Sequence, residues 1–324
     1  MLAAWPWLNE RIAPLVGAVR GQAVQVTALP TATPVQPHAQ TLQRDGTEIT
    51  LYFRYQQTDY VSQETRYVEV ARDETVAVRI VSALLAGPSA SHLELTPVFA
   101  PGVTAQRVTV ENDLLTVVLS ESFLQPPADA PADWAQYAYW QQEVPRRRRL
   151  AAAALVNALT EGGRYARVQL LVASGPEDTQ GERVPRVLFY PEEKDATLLL
   201  PPLTRQEGTI LTPQSALNAA LSAWQRKDWL ALYAFMLQGE QGEGALPPQN
   251  EFLARVSEAE RALLAYRVSP GTVAADGAQA TLCVDVQVMG KRGDKTELSQ
   301  APILMRRERD AWKLSYEALM YMME

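Results

Sequence analysis

Apolar and polar residues alternate from Ile49, where Ile49, Leu51, Phe53 and Tyr55 stand against Thr50, Tyr52 and Arg54. That period of two predicts a half-buried strand. Residues 66–70 predict a second short strand. The period then changes: Val76, Ile80, Ala83, Leu84 and Gly87 fall on one helical stripe, widened by Val78, Val81 and Leu85. Asp73 is the expected N-cap, with Glu74 favourable in the first turn. Gly87-Pro88 stops the helix, because glycine tolerates a left-handed cap and proline cannot continue the hydrogen-bond ladder. Val108 and Val110 lead into the turn triplet Glu111-Asn112-Asp113, and Leu115, Val117 and Leu119 lead out of it, which predicts a hairpin. A long connection over 121–145 carries Pro126, Pro127, Pro131 and Pro145, and its Trp134, Tyr137, Tyr139 and Trp140 predict a partly packed insert. A second helix is expected from about Arg146 to Glu161, then strands over 167–173 and 186–190 and a candidate strand over 197–200. Strands and helices in this order predict an α/β sandwich, a small sheet with two helices on one face.

A second pattern begins at Thr212-Pro213, an N-cap followed by proline at the first helical position. Leu217, Ala220, Leu221 and Trp224 share a face, and further helices are expected over 228–237 and 251–266. Ala280, Leu282, Val284, Val286 and Val288 then alternate with Thr281, Cys283, Asp285 and Gln287, the signature of a strand. Further strands are expected over 301–306 and 311–316, with a turn at Arg309-Asp310. Helices first and an antiparallel sheet after make the whole chain α+β. Residues 1–22 predict a short helix interrupted at Pro6 and Pro14, and residues 23–43 an extended Pro/Thr-rich spacer with Pro30, Pro34 and Pro37. The expected organisation is an N-terminal segment over 1–43, one domain over 44–205 and another over 206–324.

Composition removes several functions. The net charge of -7 argues against a nucleic-acid surface. The single cysteine, Cys283, permits no intramolecular disulfide, and two histidines, His38 and His92, are too few for a histidine metal site. No run approaches the roughly 20 apolar residues of a spanning helix. The N-terminus has neither a basic start nor a long apolar run, which leaves either a cytoplasmic protein or one whose signal or anchor is missing from this sequence. Gly239-Glu-Gln-Gly-Glu-Gly244 is acidic and lacks the Lys-Ser/Thr ending of a phosphate loop. No metal and no cofactor is expected.

Two sets of residues remain as candidate sites. Arg146, Arg147, Arg148 and Arg149 read as four cations at a helix start, either solvated beside Glu143 or contacting an acidic partner or phosphate. Cys283, Asp285, Trp312 and Tyr316 read as a candidate pocket in the second domain. Cys283 lacks a neighbouring histidine to activate it, and Asp285 is a candidate base only if its face lines a cavity.

Leu51-Tyr-Phe53, the helix ending Leu84-Leu-Ala-Gly-Pro88, Leu115–Ser120 with Phe123, Leu155–Glu161, Val168–Val172 and Gly175 together resemble the GerMN domain of bacterial sporulation and germination proteins, over about residues 47–203. Two features depart from that pattern: Val118 stands where an acidic residue is common, and the insert from Pro126 to Pro145 is long. The resemblance implies a fold like the ring-building motif of secretion systems, an extracytoplasmic and often lipid-anchored protein, self-association or an envelope partner, and no enzymatic activity. Residues 212–324, with Lys227-Asp-Trp229 and Trp312, resemble the nuclear transport factor 2-like, cystatin-like cone, which implies helices on a curved antiparallel sheet around a small-molecule pocket.

Overall fold

The alternation at Ile49 becomes strand β1 (Thr47–Tyr55). A computed structural model describes residues 46–163, 165–239, 245–259 and 261–323, all within one compact unit. The helix expected over 1–22 and the spacer over 23–43 lie outside the described residues. β1 is more enclosed than its alternation predicts. From Leu51 to Tyr55 every residue is buried, Tyr52 and Arg54 included. Its two edges are filled by β2 (Val61–Val68) and β3 (Leu95–Thr96), both antiparallel, giving the order β2-β1-β3.

Helix α1 (Val76–Ala86) packs on β1 through Ala77, Ile80, Val81 and Leu84. Its N-cap is Thr75, not Asp73: the Thr75 hydroxyl accepts from the Val78 amide at 3.3 Å. Gly87 ends it with φ +86° and donates its N–H to Leu84. The hairpin forms as β4 (Ala105–Glu111) and β5 (Leu114–Leu119), turning at Asn112 with φ +57°. β5 then pairs in parallel with β6 (Arg167–Val172), and β7 (Glu182–Arg183) closes the order β4-β5-β6-β7. The N-terminal half therefore holds two sheets, not the one small sheet expected.

A parallel pair needs a long crossover, and helix α2 (Ala138–Thr160) supplies it. It packs on both β1 and β6. Every residue from Leu150 to Thr160 is buried, as required of a helix covered on all sides. Asn157 stays satisfied there: its side-chain carbonyl accepts from the Gln206 amide at 2.7 Å, and its amide donates to Thr209 at 3.2 Å. The helix starts eight residues before Arg146 and runs through Pro145. Residues 186–190, expected as a strand, hold a single 3-10 turn at Arg186–Leu188, and the candidate strand over 197–200 contributes one isolated bridge, Pro185 to Leu199.

In the C-terminal half, helix α3 (Pro213–Arg226) opens with Thr212 and Ser215 capping each other's backbone and ends at Lys227 with φ +59°. Helices α4 (Trp229–Ala234) and α5 (Gln249–Glu258) follow. The helix expected over 251–266 stops at Glu258, and Arg261–Val273 is strand β8. β8, β9 (Gln279–Gly290), β10 (Lys295–Glu308) and β11 (Ala311–Leu314) make one antiparallel sheet in sequence order. Register shifts at Leu263/Ala265, Ser269/Thr272 and Leu298/Ala301 bend it. The inner face of β9, Leu282 to Val288, meets α3, whose Leu217, Ala220, Leu221 and Trp224 are all buried. Helix α6 (Tyr316–Met323) closes one end with Tyr316, Leu319, Met322 and Met323. The fold is mixed α+β.

Candidate functional site

The arginine run sits in the third and fourth turns of α2, so the four cations do not oppose the start of the helix dipole as expected. Their organiser is Glu143, one turn upstream and 2% exposed. Its Oε1 accepts from Arg54 Nη1 at 3.2 Å and from Arg147 Nε at 2.7 Å, and its Oε2 from Arg146 Nη2 at 2.6 Å. Arg146 also reaches Asp59 at 2.9 Å. Arg147 forks onto Asp129, at 2.7 and 2.9 Å, and lies over the Trp140 ring at 5.5 Å. Arg148 donates to the carbonyls of Leu124 and Leu188. Arg149 donates to Phe189 O and lies over the Tyr190 ring at 5.5 Å. All four arginines bind within the chain. They tie α2 to Asp59 in the loop after β1, to the connection over 124–129 and to the turn over 186–190.

The charges in this cluster tune one another. Burial alone would raise the Glu143 carboxyl, but the hydrogen bond from Arg147 and the charges of Arg146 and Arg54 outweigh it and hold it below its ordinary value of 4.5. Burial lowers Arg54, which the opposed Glu143 partly offsets, and burial also lowers Arg148. Fixed in this way, the cluster offers neither a free base nor a nucleophile.

The four residues of the candidate pocket are not brought together. Along β9, Leu282, Val284 and Val286 are buried, while Cys283 and Asp285 lie half-exposed on the opposite face. Asp285 accepts from the backbone and side-chain amides of Gln300, at 2.8 and 3.1 Å, and so fixes the irregular step of β10. Trp312 and Leu314 pair with Arg307 and Met305, and Met305 pairs with Ala280, which places Trp312 on the face away from Asp285. Tyr316 is buried in α6, its ring 6.0 Å from that of Phe252. The four residues therefore line no common pocket: Cys283 and Asp285 face outward, and Tyr316 borders a separate cavity with Glu251, Arg255 and Tyr321.

A seam between the two halves was not expected from the sequence. Lys313, 1% exposed, donates to Ala234 O at 2.9 Å and Glu94 at 3.1 Å and sits 5.5 Å from the Tyr55 ring centre. Tyr55 donates to the same Ala234 carbonyl at 2.7 Å. Ile210 bridges to Val61 in parallel, and the Leu211 amide donates to Val61 O at 2.8 Å. A polar cavity of about 380 Å³ opens here, lined by Gln56, Glu94, Tyr233, Glu308 and Lys313 among others. The spacing of Glu143 to Arg146 and Arg147, i to i+3 and i+4, was the one local signal for the arginine network. Arg54, Asp59 and Asp129 join from far along the chain and leave no such signal.

Comparison with known proteins finds a match within the first half. Residues 50–178 match the Germane family, described as sporulation and spore germination. Among solved structures, the tandem GerMN domains of the sporulation protein GerM from Bacillus subtilis align at 15% identity and a TM-score of 0.30, over 49% of this chain and 44% of that one. This chain thus spans less than half of that structure. A candidate polyketide cyclase from Xanthomonas campestris pv. campestris aligns at 15% identity and a TM-score of 0.24, over 31% of this chain and 84% of that one. Both likenesses are too loose to carry functional weight. No curated protein matches the sequence. The Germane match ends before β7 and leaves the C-terminal half outside it.

Proposed function

We propose that this chain is a sporulation-associated, non-enzymatic protein of the bacterial cell envelope, placed outside the cytoplasm, which acts by associating with other proteins. The observation that carries the sporulation assignment is the Germane match over residues 50–178. Support for association comes from the insert before Glu143. No residue from 124 to 142 is buried, although the segment carries Trp134, Tyr137, Tyr139 and Trp140. Tyr137 and Tyr139 are 50% and 61% exposed. Tyrosine and tryptophan dominate the energetic centres of protein interfaces, because each offers a large rigid area with a polar edge. The non-enzymatic reading is supported by the half-exposed outer-face position of Cys283 and Asp285. The extracytoplasmic placement rests on the family resemblance and the Pro/Thr-rich spacer.

The test pairs genetics with mass. Deleting the gene in its own bacterium reduces the yield of viable spores. Native mass spectrometry of the full chain recovered from that bacterium finds it in a defined assembly, which the double substitution Tyr137→Ala/Tyr139→Ala weakens without lowering the melting temperature. Normal sporulation in the deletion strain sinks the sporulation assignment. A strict monomer at high concentration, with no co-purified protein, sinks the association.

A further inference from the structure

We propose that the groove beside Arg148 is a binding site for a small carboxylate that carries an apolar tail. The groove holds about 300 Å³ between α2, the turn over 97–103 and the connection over 123–129. Its walls include Phe99, Val103, Phe123, Val144 and Ala151, all buried. The Phe99 and Phe123 rings stand 5.9 Å apart and make one continuous apolar surface.

Two arginines also line the groove, and they differ in one respect. Arg147 is matched by carboxylates, Glu143 on one side and both oxygens of Asp129 on the other. Arg148 meets no carboxylate among the described residues. Its hydrogen bonds go to two backbone carbonyls, Leu124 and Leu188, and its Nε has no partner among the described residues. Only 8% of Arg148 is exposed. Carbonyl dipoles at the ends of two 3-10 turns, Glu121–Leu124 and Arg186–Leu188, offset part of the cost of burying that cation, but they supply no counter-charge. The cluster as a whole brings together Arg54, Arg146, Arg147, Arg148 and Arg149 against the carboxylates of Asp59, Asp129 and Glu143. Its excess is positive, so it favours an anion.

The ligand class follows from the two surfaces. A planar guanidinium is matched by a carboxylate, and the phenylalanine walls reward an apolar tail. A bare inorganic anion would leave the walls unused, and a neutral alcohol would leave Arg148 unmatched. The volume suits a chain of about eight carbons, at the lower end of the usual range for small-ligand sites.

The test uses the full chain with sodium octanoate, octan-1-ol and inorganic phosphate as probes, read by calorimetric titration and thermal melting. Octanoate is expected to bind saturably and raise the melting temperature, with octanol and phosphate each weaker by about tenfold or more. Arg148→Met should lose the octanoate response, with a lower melting temperature because the carbonyls of Leu124 and Leu188 lose their donor, while Arg148→Lys retains part of the response. Ala151→Leu fills the groove floor and should abolish octanoate binding while leaving Arg148 in place, which keeps the proposal testable if Arg148→Met fails to fold. Equal binding of octanoate and octanol, or of octanoate and phosphate, overturns it. So does octanoate binding that survives both Arg148→Met and Ala151→Leu.

Discussion

The two halves of this protein back a sheet with a helix in opposite ways. In the Germane-matching half, α2 passes between the sheets and carries a buried carboxylate, Glu143, that collects three guanidinium groups. In the C-terminal half, α3 lies on the sheet with a face of Leu217, Ala220, Leu221 and Trp224, and the inner side of β9 is wholly aliphatic. At these two helices, matched charges from distant parts of the chain set the one and periodic burial sets the other. Matched charges fix position through geometry, since each guanidinium must meet its acceptor at a set distance and angle. Aliphatic burial is non-directional and depends on volume and pattern.

The sharpest way to break that contrast is to remove its organiser. Glu143→Ala leaves Arg54, Arg146 and Arg147 without their shared acceptor in a buried site, and the expected loss is about 3–5 kcal/mol in urea unfolding. The corresponding lever in the C-terminal half is apolar: Leu282→Ala, at a site 1% exposed, should cost about 3 kcal/mol through lost burial and the cavity it leaves. The two losses are expected to differ in their response to acid. Glu143 has a folded-state pKa held below its ordinary value, so its contribution is fully present above about pH 4.5 and is lost as pH falls through the lower folded value. Stability measured from pH 6 downward should therefore fall less steeply in Glu143→Gln than in the parent, while Leu282→Ala keeps the parental slope. The smallest effect is expected at the seam. Replacing both partners there, Lys313→Met with Glu94→Gln, removes a buried cation together with its counter-charge and should shift stability by about 1 kcal/mol or less. Lys313→Met alone should cost more than the pair.

The same contrast explains what the sequence disclosed. Periodicity found β9, the stripe and Gly87 stop of α1, and the Thr212-Pro213 start of α3, because each is decided by neighbours within a few residues. It missed the start of α2, because Pro145 reads as a helix boundary. The helix nonetheless continues through it, with Glu143 and Val144 just before it buried and Glu143 held by Arg54 of β1. It missed β8 because Arg261-Ala-Leu-Leu-Ala-Tyr266 carries good helix formers, and pairing with β9 overrides that local preference. It placed Asp73 as a cap where Thr75, two residues on, does the work. The arginine run was visible, but its engagement was not: the acceptors on Asp59, Asp129, Leu124, Leu188 and Phe189 are brought in only by the fold. The four residues of the candidate pocket, Cys283, Asp285, Trp312 and Tyr316, are not gathered in one place for a related reason. A strand's alternation shows that two faces exist, but not which of them is packed shut.

The most direct test of this contrast is a double-mutant cycle on Glu143 and Arg147. Unfolding free energies of the parent, Glu143→Gln, Arg147→Gln and the double variant yield the coupling between the two side chains. A coupling of about 1–3 kcal/mol is predicted, within the range seen for residues in one buried charge network. A coupling near zero would mean that Glu143 does not organise the arginines of α2, and the contrast between the two halves would fall.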